Sequence, residues 1–286
     1  MPVQTAMKTV ASIDELRTLI RGWREAGLRI GFVPTMGNLH VGHLALLEEA
    51  ARHCDRVLVS IFVNPLQFDQ QNDLAAYPRT PEADIAQLKS IGVDALFNPD
   101  ESSLYPHGRE ALTRVEVAGL SDILEGAARP GHFVGVATVV TKLFNCVQPD
   151  LAVFGEKDFQ QMLIIRRLVA DLNIPITIMG LPTVRESDGL AMSSRNQRLS
   201  RDEREIAPQL YRQLQGIREI LLNGNSDYAA LEQAATEQLQ QLGFEPEYVA
   251  IRDADSLSDV NDPTQKMVIL AAARLGHTRL IDNLRV

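Results

Sequence analysis

Cysteine is nearly absent: Cys54 and Cys146 are the two in a chain of 286 residues, and they form neither a CxxC pair nor a zinc-ligand spacing. A disulfide-stapled scaffold is thereby excluded, and a cytoplasmic protein with two free thiols is expected. No run of about 18 apolar residues occurs, and Met1 to Ser12 has no apolar core, so neither a membrane span nor a signal peptide is expected. Runs of Lys or Arg are also lacking and the net charge is −9, which argues against a general nucleic-acid or membrane-surface binder. Any anionic ligand must then be met by positive charge placed locally by a motif. Internal repeats and low-complexity segments are missing too. What remains, 45% apolar and 23% charged residues, is ordinary globular composition at a length that suits one large and one small domain.

The chain is organised around Arg29 to His43, which reads R-I-G-F-V-P-T-M-G-N-L-H-V-G-H. An apolar run breaks into a Pro/Gly turn and then into a segment opening with two histidines. That order predicts a strand, a tight turn and a helix N-terminus presenting free backbone N–H groups to a phosphate. Ahead of it, Ser12-Ile-Asp-Glu15 is a capping box whose helix ends at Gly27. Strand Arg29 to Val33, a helix from Leu39 to His53 with an apolar arc of Leu44, Leu46, Leu47, Ala50 and Ala51, and a buried strand from Val57 to Val63 make a βαβ unit. Thr80-Pro81 opens a helix ending near Gly92, and Ala95 to Phe97 is a short strand. Thr113 to Val117 alternates like an edge or hairpin strand, while the length of Val134 to Val147 favours a helix. Leu151 to Phe154, a helix from Asp158 to Asp171 and Ile176 to Met179 continue the alternation. The expected fold is a doubly wound, Rossmann-like α/β domain over residues 1–181.

After Leu181-Pro182 the pattern changes. Thr183 to Glu186 and Leu190 to Ser193 flank Ser187-Asp-Gly189, a hairpin signal. A second capping box, Ser200 to Glu203, starts a long helix to about Asn223, and another helix runs from about Asp227 to Leu242. Glu247 to Arg252, Met267 to Arg274 and Thr278 to Asp282 are strand candidates, so residues 182–286 are expected to form a smaller α+β domain.

Four motifs carry chemistry. In His40-Val-Gly-His43 the helix dipole disfavours a cationic imidazole, so neutral histidines donating N–H bonds to phosphate are expected. The bland alternative is a pair of satisfied core histidines. A zincin reading fails because the spacing is one residue short and no carboxylate lies between, and a P-loop reading of Gly37 to Gly42 fails because Lys and Ser/Thr do not follow. Asn64-Pro-Leu-Gln67-Phe68 supplies amides for a small polar substrate, although Asn-Pro is also a common strand terminator. Gly155-Glu-Lys157-Asp158, with Gln161 one turn on, offers a point charge for phosphate or is a solvated turn. Met192-Ser-Ser-Arg195-Asn196 suits phosphate recognition in a loop that can close over a site, or is a linker. The turns at Pro34, Asn64, Gly155 and Leu181 all follow strands, and in a parallel sheet such carboxyl ends converge on one ligand pocket.

These residues resemble a known family. P-T-M-G-N-L-H-V-G-H (34–43) resembles the HxGH signature of the nucleotidyltransferase superfamily, and M-S-S-R-N (192–196) its KMSKS-type loop. With S-I-F-V-N-P-L-Q-F (60–68), Y-P-R-T (77–80), R-P-G-H-F-x-G-V-A-T-V-V (129–140) and F-G-E-K-D-F-Q-Q (154–161), the set is similar to the pantoate–β-alanine ligases. The likeness covers nearly all of residues 30–200, whereas the C-terminal third matches by general layout.

The resemblance implies an AMP-forming carbon–nitrogen ligase of pantothenate biosynthesis, on the way to coenzyme A, working through a pantoyl adenylate. It implies that Met36, Gly37, Asn38, Leu39, His40, Val41, Gly42 and His43 hold ATP, with His43, assigned as proton donor in the family, His40 and Lys157 catalytic. ATP would also be bound by Gly155, Glu156, Lys157 and Asp158, by the backbone of Val184, and by Met192, Ser193, Ser194 and Arg195. Pantoate would meet Gln67, Gln161 and Asn64, and β-alanine Gln67. Mg²⁺ would accompany ATP, its protein ligands unknown, with Asp84 a contact to be tested. Family members are typically cytoplasmic homodimers acting on small molecules, with no nucleic-acid or membrane partner. Competing expectations are another HxGH-type nucleotidyltransferase acting on a phosphorylated substrate and a non-catalytic nucleotide sensor.

Overall fold

The computed structural model describes residues 6–68 and 71–286 and divides into two compact units, Met1–Glu156 with Ile164–Leu181, and Lys157–Leu163 with Pro182–Val286. The first contains β1 (Lys8–Val10), α1 (Ile13–Glu25), β2 (Ile30–Thr35), α2 (Val41–His53), β3 (Arg56–Ile61), α3 (Gln71–Ala75), α4 (Pro81–Ser90), β4 (Ala95–Phe97), α5 (Glu101–Leu104), α6 (Glu125–Ala128), α7 (His132–Val147), β5 (Leu151–Gly155), most of α8 (Phe159–Asp171) and β6 (Thr177–Leu181). All six strands run parallel in the order β1-β4-β3-β2-β5-β6. The chain leaves β2 for β3 on one side and returns to β5 on the other, so the carboxyl ends of β2 and β5 flank the switch point where such sheets bind ligands.

Alternation along β2 explains the two packed layers. Phe32 meets Phe144 of α7 edge-on, with ring centroids 6.4 Å apart, while Val33 points the other way into a core with Leu46, Leu47 and Ala50 of α2 and Leu88 of α4. Each such buried side chain stabilises the fold by about 1.5–3 kcal/mol. Twelve of the sixteen residues of α7 are buried, as expected of a helix apolar around most of its circumference. Gly135 lets α7 lie directly on the segment after β3: a Cβ there would sit 2.3 Å from the Leu66 carbonyl oxygen.

The second unit contains α9 (Arg201–Ile206), α10 (Gln209–Leu222), α11 (Tyr228–Gln241) and an antiparallel sheet of β7 (Glu245–Asp253), β8 (Met267–Leu275) and β9 (Thr278–Arg285) in that order. Leu210, Leu214 and Ile217 of α10, with Leu239 of α11, pack on Ile251, Ile269 and Ala271 of the sheet.

Both fold classes follow expectation, and several local readings are corrected. Thr113 to Val117 pairs with no strand; the Val115 amide donates instead to Thr138 Oγ1 of α7 at 2.9 Å. The single helix expected from Ser200 to Asn223 is two, α9 and α10, divided at Ala207-Pro208, because Pro208 has no N–H for the ladder. The hairpin at 183–193 closes with one bridge, Arg185 to Ala191, and Gly189 supplies its positive φ of 97°. The exposed three-residue β1 carries no alternation and is absent from the sequence reading.

Candidate active site

The turn after β2 needs left-handed backbone at two successive residues, Gly37 (φ 78°) and Asn38 (φ 49°), residue types that tolerate it. Asp84 of α4, 2% exposed, lies beneath the turn. Its Oδ2 accepts from the Asn38 amide at 2.9 Å and its Oδ1 from the Leu39 amide at 2.8 Å, with Thr80 Oγ1 donating at 3.1 Å. A carboxylate enclosed in this way braces the turn, so the metal contact weighed for Asp84 does not fit it.

His40 is the N-cap of α2, one residue before the helix, which starts at Val41 rather than Leu39. Its Nδ1 accepts from the Gly42 amide at 3.1 Å, while His43 Nδ1 accepts from the His40 amide at 3.3 Å. The two imidazoles thus form a reciprocal capping box of the kind usually made by Ser/Thr and Glu. An amide must donate, so each Nδ1 presents a lone pair and each ring is neutral with its proton on Nε2. The expectation of free backbone N–H groups at this turn is corrected: the amides of Asn38, Leu39, His40 and Gly42 all have partners within unit one.

After β3, Asn64 is 1% exposed and committed on both sides of its carboxamide. Nδ2 donates to Gln67 Oε1 at 3.0 Å and to the Gly135 carbonyl at 3.1 Å; Oδ1 accepts from Tyr105 Oη at 2.7 Å and from the Leu66 amide at 3.3 Å. Asn64 thereby orients the Gln67 carboxamide. Burial pushes the Tyr105 hydroxyl well above its ordinary range, with the Glu101 charge adding to it, so it stays a donor. Gln67 Nε2 reaches Met36 Sδ at 3.1 Å, which joins the HxGH turn to the amide loop. Gly155 and Glu156 end and follow β5, the neighbour of β2.

In the second unit Lys157, Ser193 and Arg195 line one small pocket with Asn196, Arg279 and Asp282. Ser193 caps the turn it precedes, its Oγ accepting from the Arg195 amide at 3.2 Å. Met192 donates to the Val184 carbonyl at 2.9 Å, so the adenine-side and phosphate-side residues of the resemblance share one short ladder. Arg185 fixes that ladder: it forks onto Asp282 at 2.6 and 2.9 Å, reaches the Gly189 carbonyl at 3.0 Å, and stacks 3.5 Å above the Tyr211 ring. Asp158 lies 3.9 Å from Lys157, and Gln161 follows on α8.

Sequence reasoning missed the residues behind these loops. Asp84 lies 46 positions from Asn38, with no local pattern joining them. Arg129 and His132 lie within the 129–140 segment, and both donate to the Gln67 carbonyl. Both cysteines are free, and burial pushes both thiols up, which leaves neither poised as a nucleophile. No helix among the described residues is long and apolar enough to cross a membrane.

A doubly wound sheet with a histidine-capped turn at its switch point defines the class, an HxGH-type α/β protein. A family model described as pantoate-beta-alanine ligase matches residues 8–285. The chain belongs to the pantoate-beta-alanine ligase family. Pantothenate synthetase of Thioalkalivibrio sulfidiphilus is 56% identical over 280 residues, 98% of each chain, and that of Photobacterium profundum 55% over 277 residues, 97% of this chain and 94% of the other. The crystal structure of pantothenate synthetase from Thermus thermophilus matches with a TM-score of 0.89 and 48% identity, covering 97% of this chain and 99% of the other. Pantoate-beta-alanine ligase from Francisella tularensis, complexed with β-γ ATP and β-alanine, matches with a TM-score of 0.82 and 38% identity over 98% of both chains.

Proposed function

We propose that this chain carries out the family reaction, ATP-dependent ligation of (R)-pantoate with β-alanine, through pantoyl adenylate. A pantoate carboxylate oxygen attacks the α-phosphorus, the bond to the bridging oxygen breaks and pyrophosphate leaves. The β-alanine amine then attacks the acyl carbon, AMP departs and the amine proton passes to solvent. Such chemistry asks the protein for alignment and for neutralisation of developing phosphate charge.

The reciprocal histidine cap carries this reading, because it fixes both rings as neutral Nε2–H donors at a helix N-terminus. In the proposal His40 and His43 donate to phosphate oxygens, His43 as charge stabiliser rather than acid, and Met36 to Gly42 form the surrounding turn. Gly155 to Asp158, with Lys157 as point charge, and the 192–195 loop with Arg195 also serve ATP, and Val184 takes the adenine. Gln67 takes pantoate and β-alanine, and Gln161 takes pantoate. Residues 1–181 are the ATP- and pantoate-binding domain, and 182–286 carry the 192–195 loop. The reading extends to a cytoplasmic homodimer, as is typical of the family.

Mg²⁺ is proposed to arrive with the nucleotide. Among the described residues no group of three His, Cys, Asp or Glu side chains is placed to hold a metal, and Asp84 is enclosed by the turn, so a cation held by substrate phosphates is the arrangement this chain fits. The ion's chemistry is charge neutralisation.

One assay tests the whole reading. Pyrophosphate release should require ATP and pantoate together, and AMP release should follow on addition of β-alanine. Turnover that needs a phosphate ester and ignores β-alanine, or ATP binding without pyrophosphate release, would overturn it.

A further inference from the structure

Behind Gln67 lies a buried charged cluster for which the reaction gives no direct use. His132, 8% exposed, is the first residue of α7 and sends Nδ1 to the Gln67 carbonyl oxygen at 2.7 Å. Arg129 sends Nη2 to the same oxygen at 3.1 Å, and its Nη1 lies 3.3 Å from both His132 Nε2 and Glu125 Oε1. A carbonyl can only accept, so His132 Nδ1 carries the proton; a guanidinium can only donate, so Nε2 is a lone pair. His132 is therefore the opposite neutral tautomer to His40 and His43. Arg129 and Glu125 are also withdrawn from solvent, with side chains 12% and 9% exposed.

Burying a guanidinium, a carboxylate and an imidazole is unfavourable unless each is hydrogen-bonded in a fixed geometry. Here that geometry ends on one backbone oxygen, at the residue proposed above to bind both substrates. Gly135 seats the same segment from the side, because its missing Cβ admits the Leu66 and Gln67 backbone.

We propose that Arg129 and His132 are positioning residues which, through the Gln67 carbonyl, set the direction of the Gln67 carboxamide and so the binding of pantoate and β-alanine. The proposal rests on the reading that Gln67 binds these substrates. Displacing a binding group by about an ångström can lower rate or affinity by as much as about 100-fold.

The test is a double-mutant cycle with the full chain, reading KM for pantoate, β-alanine and ATP. His132→Leu is expected to raise KM for pantoate and β-alanine about 10-fold or more, with KM for ATP unchanged, since the ATP groups are elsewhere. His132→Asn, which can keep a donor to the carbonyl, is expected to restore most of the loss. Gln67→Ala/His132→Leu should be no worse than Gln67→Ala alone, because the brace acts only through Gln67. If Gln67→Ala leaves both KM values at wild type, the substrate reading of Gln67 fails. If Gln67→Ala raises them while His132→Leu does not, or the two losses multiply, the positioning proposal fails and the substrate reading stands. Should His132→Leu not fold, Arg129→Gln supplies the same cycle with side-chain bulk retained.

Discussion

Two loops in the first unit are held from behind by opposite hydrogen-bonding groups, an acceptor in one case and donors in the other. The turn at residues 36–39 rests on an anion, Asp84, which accepts two backbone N–H groups; the loop at 64–67 rests on Arg129 and His132, which donate to one backbone carbonyl. In both, the buried polar group grips main chain. The difference teaches which groups each loop retains. Asp84 takes up two amides of the turn, whereas Arg129 and His132 take up the Gln67 carbonyl and act together with Asn64 and Met36, which meet the Gln67 carboxamide.

The largest expected effect is at the histidine cap. His43→Ala should lower adenylate formation by about 10²–10³-fold, the range for loss of one preorganised donor, in a pyrophosphate-release assay. The pH–rate profile should show no acidic limb belonging to His43, and a shift of such a limb in His43→Gln would mean that the ring transfers a proton after all. Next is the anionic brace. Asp84→Asn turns an NH₂ toward an amide that needs an acceptor, and chemical denaturation should show a loss of about 3 kcal/mol. Tyr105→Phe, which removes the 2.7 Å donor to Asn64, should cost about 1 kcal/mol and weaken pantoate binding before it affects ATP.

The smallest effect separates these braces from an ordinary structural carboxylate. Partial burial pushes the Asp150 carboxyl up, but the Arg24 fork and the Ile30 amide outweigh it and hold it below its ordinary value. A lowered folded-state value contributes stability above the unfolded value, 3.8, that is lost as pH falls through the folded one. Asp150→Asn should therefore flatten the acid limb of stability below about pH 4, by about 1 kcal/mol, without changing any KM. A KM change there would show that any carboxylate near a strand end mimics Asp84.

Local chemistry was legible in the sequence and distant chemistry was not. Capping boxes at Ser12/Glu15 and Ser200/Glu203 form as their spacing predicts. The histidines of 40–43 mark a helix N-terminus in the sequence, but not that each Nδ1 is used as a cap, since that depends on a backbone bend at His40. Thr113 to Val117 has the alternation of a strand and finds no partner strand, because pairing is decided by topology. Pro208 was visible and should have divided the helix. Asp84, Arg129 and His132 carry no local periodic signal; only the fold brings them under residues 46, 62 and 65 positions away.

Steady-state kinetics of Asp84→Asn beside His132→Leu, varying ATP and pantoate in turn, test the central claim that each loop is set by its own buried polar brace. The account predicts a crossed result: Asp84→Asn raises KM for ATP and spares pantoate, while His132→Leu raises KM for pantoate and spares ATP. Two variants that raise the same KM, or that lower thermal stability with both KM values unchanged, would contradict it.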